Sequence, residues 1–270
     1  MDVYGFVSEL LVNVRRVRET HPLFGKLYPL AVLRKRELYL FEPQGLEYKL
    51  VKVVPAPSWM PENVSAAFPL QQNDWRMTAV ISLPSEASLE KVVLTLHEFV
   101  HCYQWECCEE KLKNSLTVAR EEVENGNYMW ELNYSFPYGD PTFTELYSRF
   151  LDASYVEIQC VRRELREYLS LKNYEYMVWQ EWKEGFARYV ENLVRRKLQL
   201  EENQLGREKP FTRLTFYTGG EKLVKWLQSF NPEATSNLEE LFYRMYACNS
   251  ETSTLTPSPE VLMKLKGSLS

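Results

Sequence analysis

"LTLHEFVHCYQ", Leu94 to Gln104, is the stretch on which the reading of this chain turns. At its centre, His97-Glu98-Phe99-Val100-His101 sets two histidines four apart around a glutamate, and the whole chain of 270 residues has only three histidines. Residues four apart on an α-helix stand one turn from each other on one face, so both imidazoles can reach a single ion. Zinc suits such a pair, because it takes His and carboxylate ligands tetrahedrally and a catalytic site keeps one position open for water. Glu98 projects beside that ion, within reach of the water rather than of the metal. There it can take the water's proton and pass it to a leaving amine. The bland alternative is two core histidines hydrogen-bonded to backbone groups, which gives the glutamate no role.

Around the motif, residues 85–108 are expected to form one helix. Ser88 is its cap, and Val92, Val93, Leu96, Phe99, Val100 and Tyr103 give it the broad apolar face of a helix crossing a domain centre. Upstream, Val3, Phe6, Leu10, Leu11, Val14 and Val17 recur at helical spacing over 2–20. His21 follows in a Thr-His-Pro turn, read as a surface or capping residue. Residues 27–54 read as two paired strands broken at Glu42-Pro43-Gln44-Gly45, 55–69 as a proline-spaced loop, and 76–84 as a further strand. Downstream the chain is almost wholly helical. Helices are expected over about 143–171 and 174–200, a linker over 206–213, a turn at Tyr217-Thr218-Gly219-Gly220 before another helix, and a last helix over "NLEELFYRMYAC". A Ser/Thr/Pro-rich tail begins at Asn249, with a short helix after Ser258-Pro259. The fold class is therefore α+β: a lobe over 1–108 with a small mixed sheet and the motif helix, then a helical lobe over 109–248 and the tail 249–270. A cleft lined by the motif helix is the natural place for a site.

Composition narrows the function further. A net charge of −5 argues against nucleic acid as the main partner, since phosphate binding needs a basic face. Arg15-Arg16-Val17-Arg18 and Arg195-Arg196-Lys197 sit in helical patterns and read as solvated faces. Seventeen tyrosines, thirteen phenylalanines and seven tryptophans supply ample apolar area for a core. No segment approaches 18 apolar residues, and no N-terminal apolar run follows the basic-then-hydrophobic order of a signal peptide, so no membrane partner is expected. The five cysteines (Cys102, Cys107, Cys108, Cys160, Cys248) are odd in number and read as reduced thiols of a cytoplasmic protein.

Two histidines do not complete a metal site, and His21 is the only other histidine, so the third ligand is expected to be a carboxylate. The strongest candidate lies in Lys183-Glu184-Gly185-Phe186-Ala187-Arg188-Tyr189-Val190-Glu191. Together with the His-Glu-x-x-His helix, this stretch resembles the gluzincin metallopeptidases, particularly those with an aminopeptidase N type of catalytic domain. The resemblance implies a zincin-like fold, with zinc held by His97, His101 and Glu184, and Glu98 as general base and then acid. It also implies that Tyr217, in Tyr-x-x-Gly, is the donor to the oxyanion of a tetrahedral intermediate. Two departures accompany it. As many as 82 residues separate His101 from Glu184, which leaves Glu145, Asp152 and Glu157 as alternative third ligands. The Gly-Ala-Met-Glu-Asn strand that holds a substrate's free amine in those aminopeptidases is missing. "RMTAVISLP" stands in its place in order, as a possible substrate-pairing edge. The expected activity is thus zinc-dependent hydrolysis of a peptide or protein substrate. The competing reading is a metal-bound but non-catalytic zincin that binds a peptide or protein.

Overall fold

Lys35 and Arg36, both at positive φ (49° and 65°), alone connect β1 (Leu30–Arg34) to β2 (Glu37–Gln44). A two-residue loop with two positive φ values matches the right-handed twist of the strands it joins. Gly45 and Leu46 then connect β2 to β3 (Glu47–Pro55). Where the sequence predicts two strands in this region, there are three. The computed structural model describes residues 2–83 and 88–248. The expected start of the motif helix at Ser85, the close of the last strand at Pro84, and the tail with its short helix lie outside the described residues.

A second correction concerns 55–69. It is not loop throughout, since β4 (Ser65–Leu70) pairs antiparallel with β5 (Arg76–Ser82). The sheet order is β3-β2-β1-β5-β4, with β1 and β5 parallel and every other pair antiparallel. Pro69 is tolerated in β4 because that strand is an edge and need not donate on its outer side. β5 has a neighbour on each side, so Arg76–Ser82 is an interior strand and not a pairing edge.

Helix α1 (Val3–Val17) buries Val3, Phe6, Leu10, Val14 and Val17, and Asp2 caps it by accepting from the Gly5 amide at 2.7 Å. The motif helix α2 (Leu89–Gln104) packs on β4 and β5 and also meets α1. Ser88 occupies its N-cap position without making the expected side-chain bond. On one sheet face a small core forms from Ala31, Leu33, Leu38, Leu40, Met60, Val64, Leu70 and Val80.

The helical part comprises α3 (Glu110–Ser115), α4 (Thr117–Glu124), α5 (Trp130–Asn133), α6 (Pro141–Asp152), α7 (Ile158–Tyr168), α8 (Leu171–Gln180), α9 (Phe186–Lys197), α10 (Thr215–Phe230) and α11 (Leu238–Ala247). The single helix expected over 143–171 is two, α6 and α7, broken at 153–157. Tyr217 to Gly220 form the start of α10 rather than a turn before it. The chain divides into two compact units. One holds Met1–Glu106 and Val190–Asn203; the other holds Cys107–Tyr189 and the described chain from Gln204 onward. The fold is α+β, with a five-stranded mixed sheet packed on the motif helix and then a mainly helical region. Among the described residues no helix is long and apolar enough to cross a membrane.

Candidate metal centre

Two π-helical turns mark the helices that carry the site residues. One, Trp105–Glu109, follows α2 directly, and the other, Glu181–Gly185, joins α8 to α9 and contains Glu184. A π turn inserts one residue into the helical ladder and is frequent at functional sites. In the second turn, consecutive residues are held by different partners. The carboxylate of Glu181 accepts from the Tyr147 hydroxyl at 2.7 Å and from Arg162 Nη1 at 2.8 Å, and both charged side chains are fully buried. Trp182 Nε1 donates to the Leu238 carbonyl at 2.9 Å. Lys183 Nζ reaches Glu109 and Glu131, each at 2.7 Å. Burial alone would raise the Glu131 carboxyl, but the charges of Lys183 and Lys113 outweigh it and hold the group at about 2.

Gly185 and Gly220 bring backbones together. A Cβ on Gly185 would strike the Gly220 backbone, and one on Gly220 would strike the Glu181 carbonyl. The glycines of the "EGFA" and "YTGG" stretches therefore let α10 lie directly on the turn that bears Glu184.

His97, His101 and Glu184 are all buried, and each offers one ligand atom such that these atoms lie within 4.8 Å of one another. The imidazoles are 5.0 Å apart between centroids. His97 Nδ1 lies 3.0 Å from Glu191 Oε2, and His101 Nδ1 lies 2.9 Å from Gln104 Oε1. With each Nδ1 donating to an oxygen, Nε2 is the nitrogen that each ring offers to an ion, the arrangement in which outer partners fix the tautomer and aim of metal-bound histidines. Burial pushes the Glu191 carboxyl up, yet His97, Asn203 and Arg195 together hold it at about 2, so it stays an anion against the ring. Two imidazoles and a carboxylate are a donor set that several divalent ions accept.

Arg195 corrects one expectation. It is not part of a solvated face, since its Nε donates to Glu191 at 2.8 Å and its Nη2 to Glu90 at 2.5 Å. His21 is buried rather than on the surface. It does cap the short turn Pro22–Gly25, with Nδ1 accepting from the Leu23 amide at 3.3 Å. Glu145, Asp152 and Glu157 line an open groove of about 870 Å³ along α6 and α7. Among the described residues the only grouping of three or more potential ligands is the His97, His101, Glu184 set, so those three carboxylates are set aside as ligands. The cysteines are all thiols, with Cys102 and Cys108 buried and Cys107 exposed.

Glu98 is buried on α2 beside the two histidines. Tyr217 stands in the first turn of α10, with the guanidinium of Arg188 at 5.3 Å and that of Arg213 at 5.4 Å from its ring centre. Arg213 Nη1 donates to Glu184 Oε1 at 3.0 Å. Sequence reading missed Gln104, Glu191 and Arg213 as site residues. Glu191 was within reach, since it stands seven residues, about two helical turns, after Glu184. Gln104, three residues after His101, carries the same helical signal, whereas Arg213 has no local pattern that singles it out. Compared with protein-family models, with curated proteins and with solved structures, the chain finds no match, so the candidate site rests on its own residues.

Proposed function

We propose that the protein is a zinc-dependent metallopeptidase. The observation that carries this reading is the buried His97, His101 and Glu184 set, with ligand atoms within 4.8 Å of one another and each histidine aimed by an outer partner. Zinc is favoured because two imidazoles and one carboxylate match the ligand set of zinc hydrolases. His97, His101 and Glu184 would hold the ion, and the chemistry it would supply there is a water activated near neutral pH and a Lewis acid for the carbonyl. Glu98 takes the proton of the attacking water and delivers it to the leaving amine. The hydroxyl of Tyr217 donates to the oxyanion that develops on the carbonyl carbon's oxygen. Glu191 and Gln104 hold the two imidazoles in the productive tautomer. The substrate is a peptide or protein.

The test pairs elemental analysis with turnover. Wild-type protein is expected to hold about one zinc per chain. Glu184→Ala loses most of it, and Glu98→Gln keeps it while hydrolysis of a mixed peptide library falls by about a hundredfold or more, in the range that general-base removal costs. A Glu98→Gln protein that cleaves peptides at the wild-type rate would falsify the catalytic assignment.

A further inference from the structure

Arg213 is the cation nearest to Glu184 among the described interactions, and it is only partly engaged. Its Nη1 donates to Glu184 Oε1 at 3.0 Å and, more weakly, to Gln180 Oε1 at 3.3 Å. Among the described residues, its Nε and Nη2 make no hydrogen bond. These two nitrogens are neighbours on one edge of the guanidinium, where their N–H bonds run parallel and match the two oxygens of a carboxylate. The side chain is 28% exposed, and neither Nε nor Nη2 is fully buried. Its orientation is fixed twice, by Glu184 and by stacking on the Tyr217 ring. The hydroxyls of Tyr138 and Tyr176, 3.5 Å apart, lie within range of its charge. A planar, pre-oriented fork costs little to hold in place and recognises carboxylate by geometry as well as charge.

We propose that Arg213 is the specificity residue of this centre and receives a carboxylate of the substrate on its Nε–Nη2 edge. The substrate class is then peptides that present a carboxylate close to the cleaved bond, either the free C-terminal α-carboxylate or an acidic side chain. Glu184 keeps Nη1 throughout, so one guanidinium steadies the metal ligand and reads the substrate. This inference rests on the peptidase reading, which it narrows.

The experiment uses the zinc-loaded Glu98→Gln protein, which binds without cleaving. Two pairs of peptides are titrated calorimetrically: one pair differs only in a C-terminal acid or carboxamide, the other only in an internal Glu or Gln. One acid member is expected to bind about tenfold or more tightly than its amide, and the pair that shows the difference identifies the source of the carboxylate. Adding Arg213→Lys, which keeps a donor for Glu184 but loses the fork, is expected to erase the difference while zinc content stays near one per chain. Arg213→Gln, which removes the charge, serves as the second variant and should erase it too. Equal affinity within both pairs, or no heat with any peptide, overturns the inference. A protein that holds no zinc defeats the metallopeptidase reading instead, and the acid–amide comparison on that same protein still decides for or against Arg213.

Discussion

At the scale of the residue, the histidines are told apart by their partners. His97 faces an anion, Glu191, whereas His21 is buried with its Nδ1 spent on a backbone amide. Replacing Glu191 with Gln keeps the shape and removes the charge, so zinc affinity is expected to fall roughly tenfold to a hundredfold, the usual cost of losing an outer partner. Competition against a chelator of known affinity measures this, and an unchanged constant would mean that Glu191 does not aim the ring. Burial lowers His21 to about 4 from its ordinary 6.5, so the folded chain prefers it neutral. The unfolded chain takes up that proton first as pH falls. The stability is therefore fully present above about 6.5 and is lost progressively down to about 4, a loss of roughly 3 kcal/mol. In urea titrations with a chelator present, His21→Gln should flatten the pH dependence across that window. Glu131 and Glu191 act lower: their depressed values hold stability above about 4.5 that is lost toward pH 2.

At the scale of the element, the informative contact is backbone on backbone. Gly220→Ala would press a methyl group against the Glu181 carbonyl, which cannot swing aside as a flexible side chain would. The expected cost is about 3 kcal/mol, the upper part of the range for overpacking. Chemical denaturation reads it directly, with Gly139→Ala as the control because nothing lies within 4 Å of that position. A Gly220→Ala protein as stable as the control would show that α10 slides freely over the turn. This is also where the sequence is least legible. The pair His97 and His101, and Glu184, could be read because the histidines share a short-range spacing on one helix and the glutamate sits in a recognisable stretch on another. The Lys35-Arg36 connection could not, since neither residue favours positive φ and only the paired strands impose it. Strand β4 was hidden for the same reason: its partner β5, not its own alternation, makes it a strand. The break at 153–157 carries no glycine or proline to announce it.

At the scale of the whole molecule, the proposed metal binding would be linked to folding. An ion that binds only the folded chain stabilises it by about 2.7 kcal/mol at a hundred times its dissociation constant, which for a chain of this size corresponds to a rise in melting temperature of roughly 5 °C or more. Thermal scans with added zinc and with chelator should differ by at least that amount, and Glu184→Ala should show little difference. Coincident curves for the wild type would place the three ligands among ordinary buried polar groups. The aromatic composition suggested a substantial core, and Trp130, Trp179, Trp182 and Trp226 are fully buried in it, but composition said nothing of how charge is used inside it. The buried Arg162–Glu181 pair and the half-buried Lys183–Glu131 pair became visible only once the helices had been assembled.

The π turn at Glu181–Gly185 has a consequence for heredity of form. A helix has an angular reading frame, about 100° for each residue, and this turn behaves as a single-codon insertion within it. Removing one residue from the turn would restore a regular helix and leave every later residue in its own sequence context. Because the wide turn spreads its extra residue over a larger ring, the helix before it and the helix after it would keep nearly their present facing. The same deletion made in the regular helix between Phe186 and Val190 would swing one part against the other by roughly a third of a circle. Glu181 and Glu191 could then no longer both meet their present partners. A one-residue deletion is absorbed at the turn, and a few residues later it is a frameshift in space.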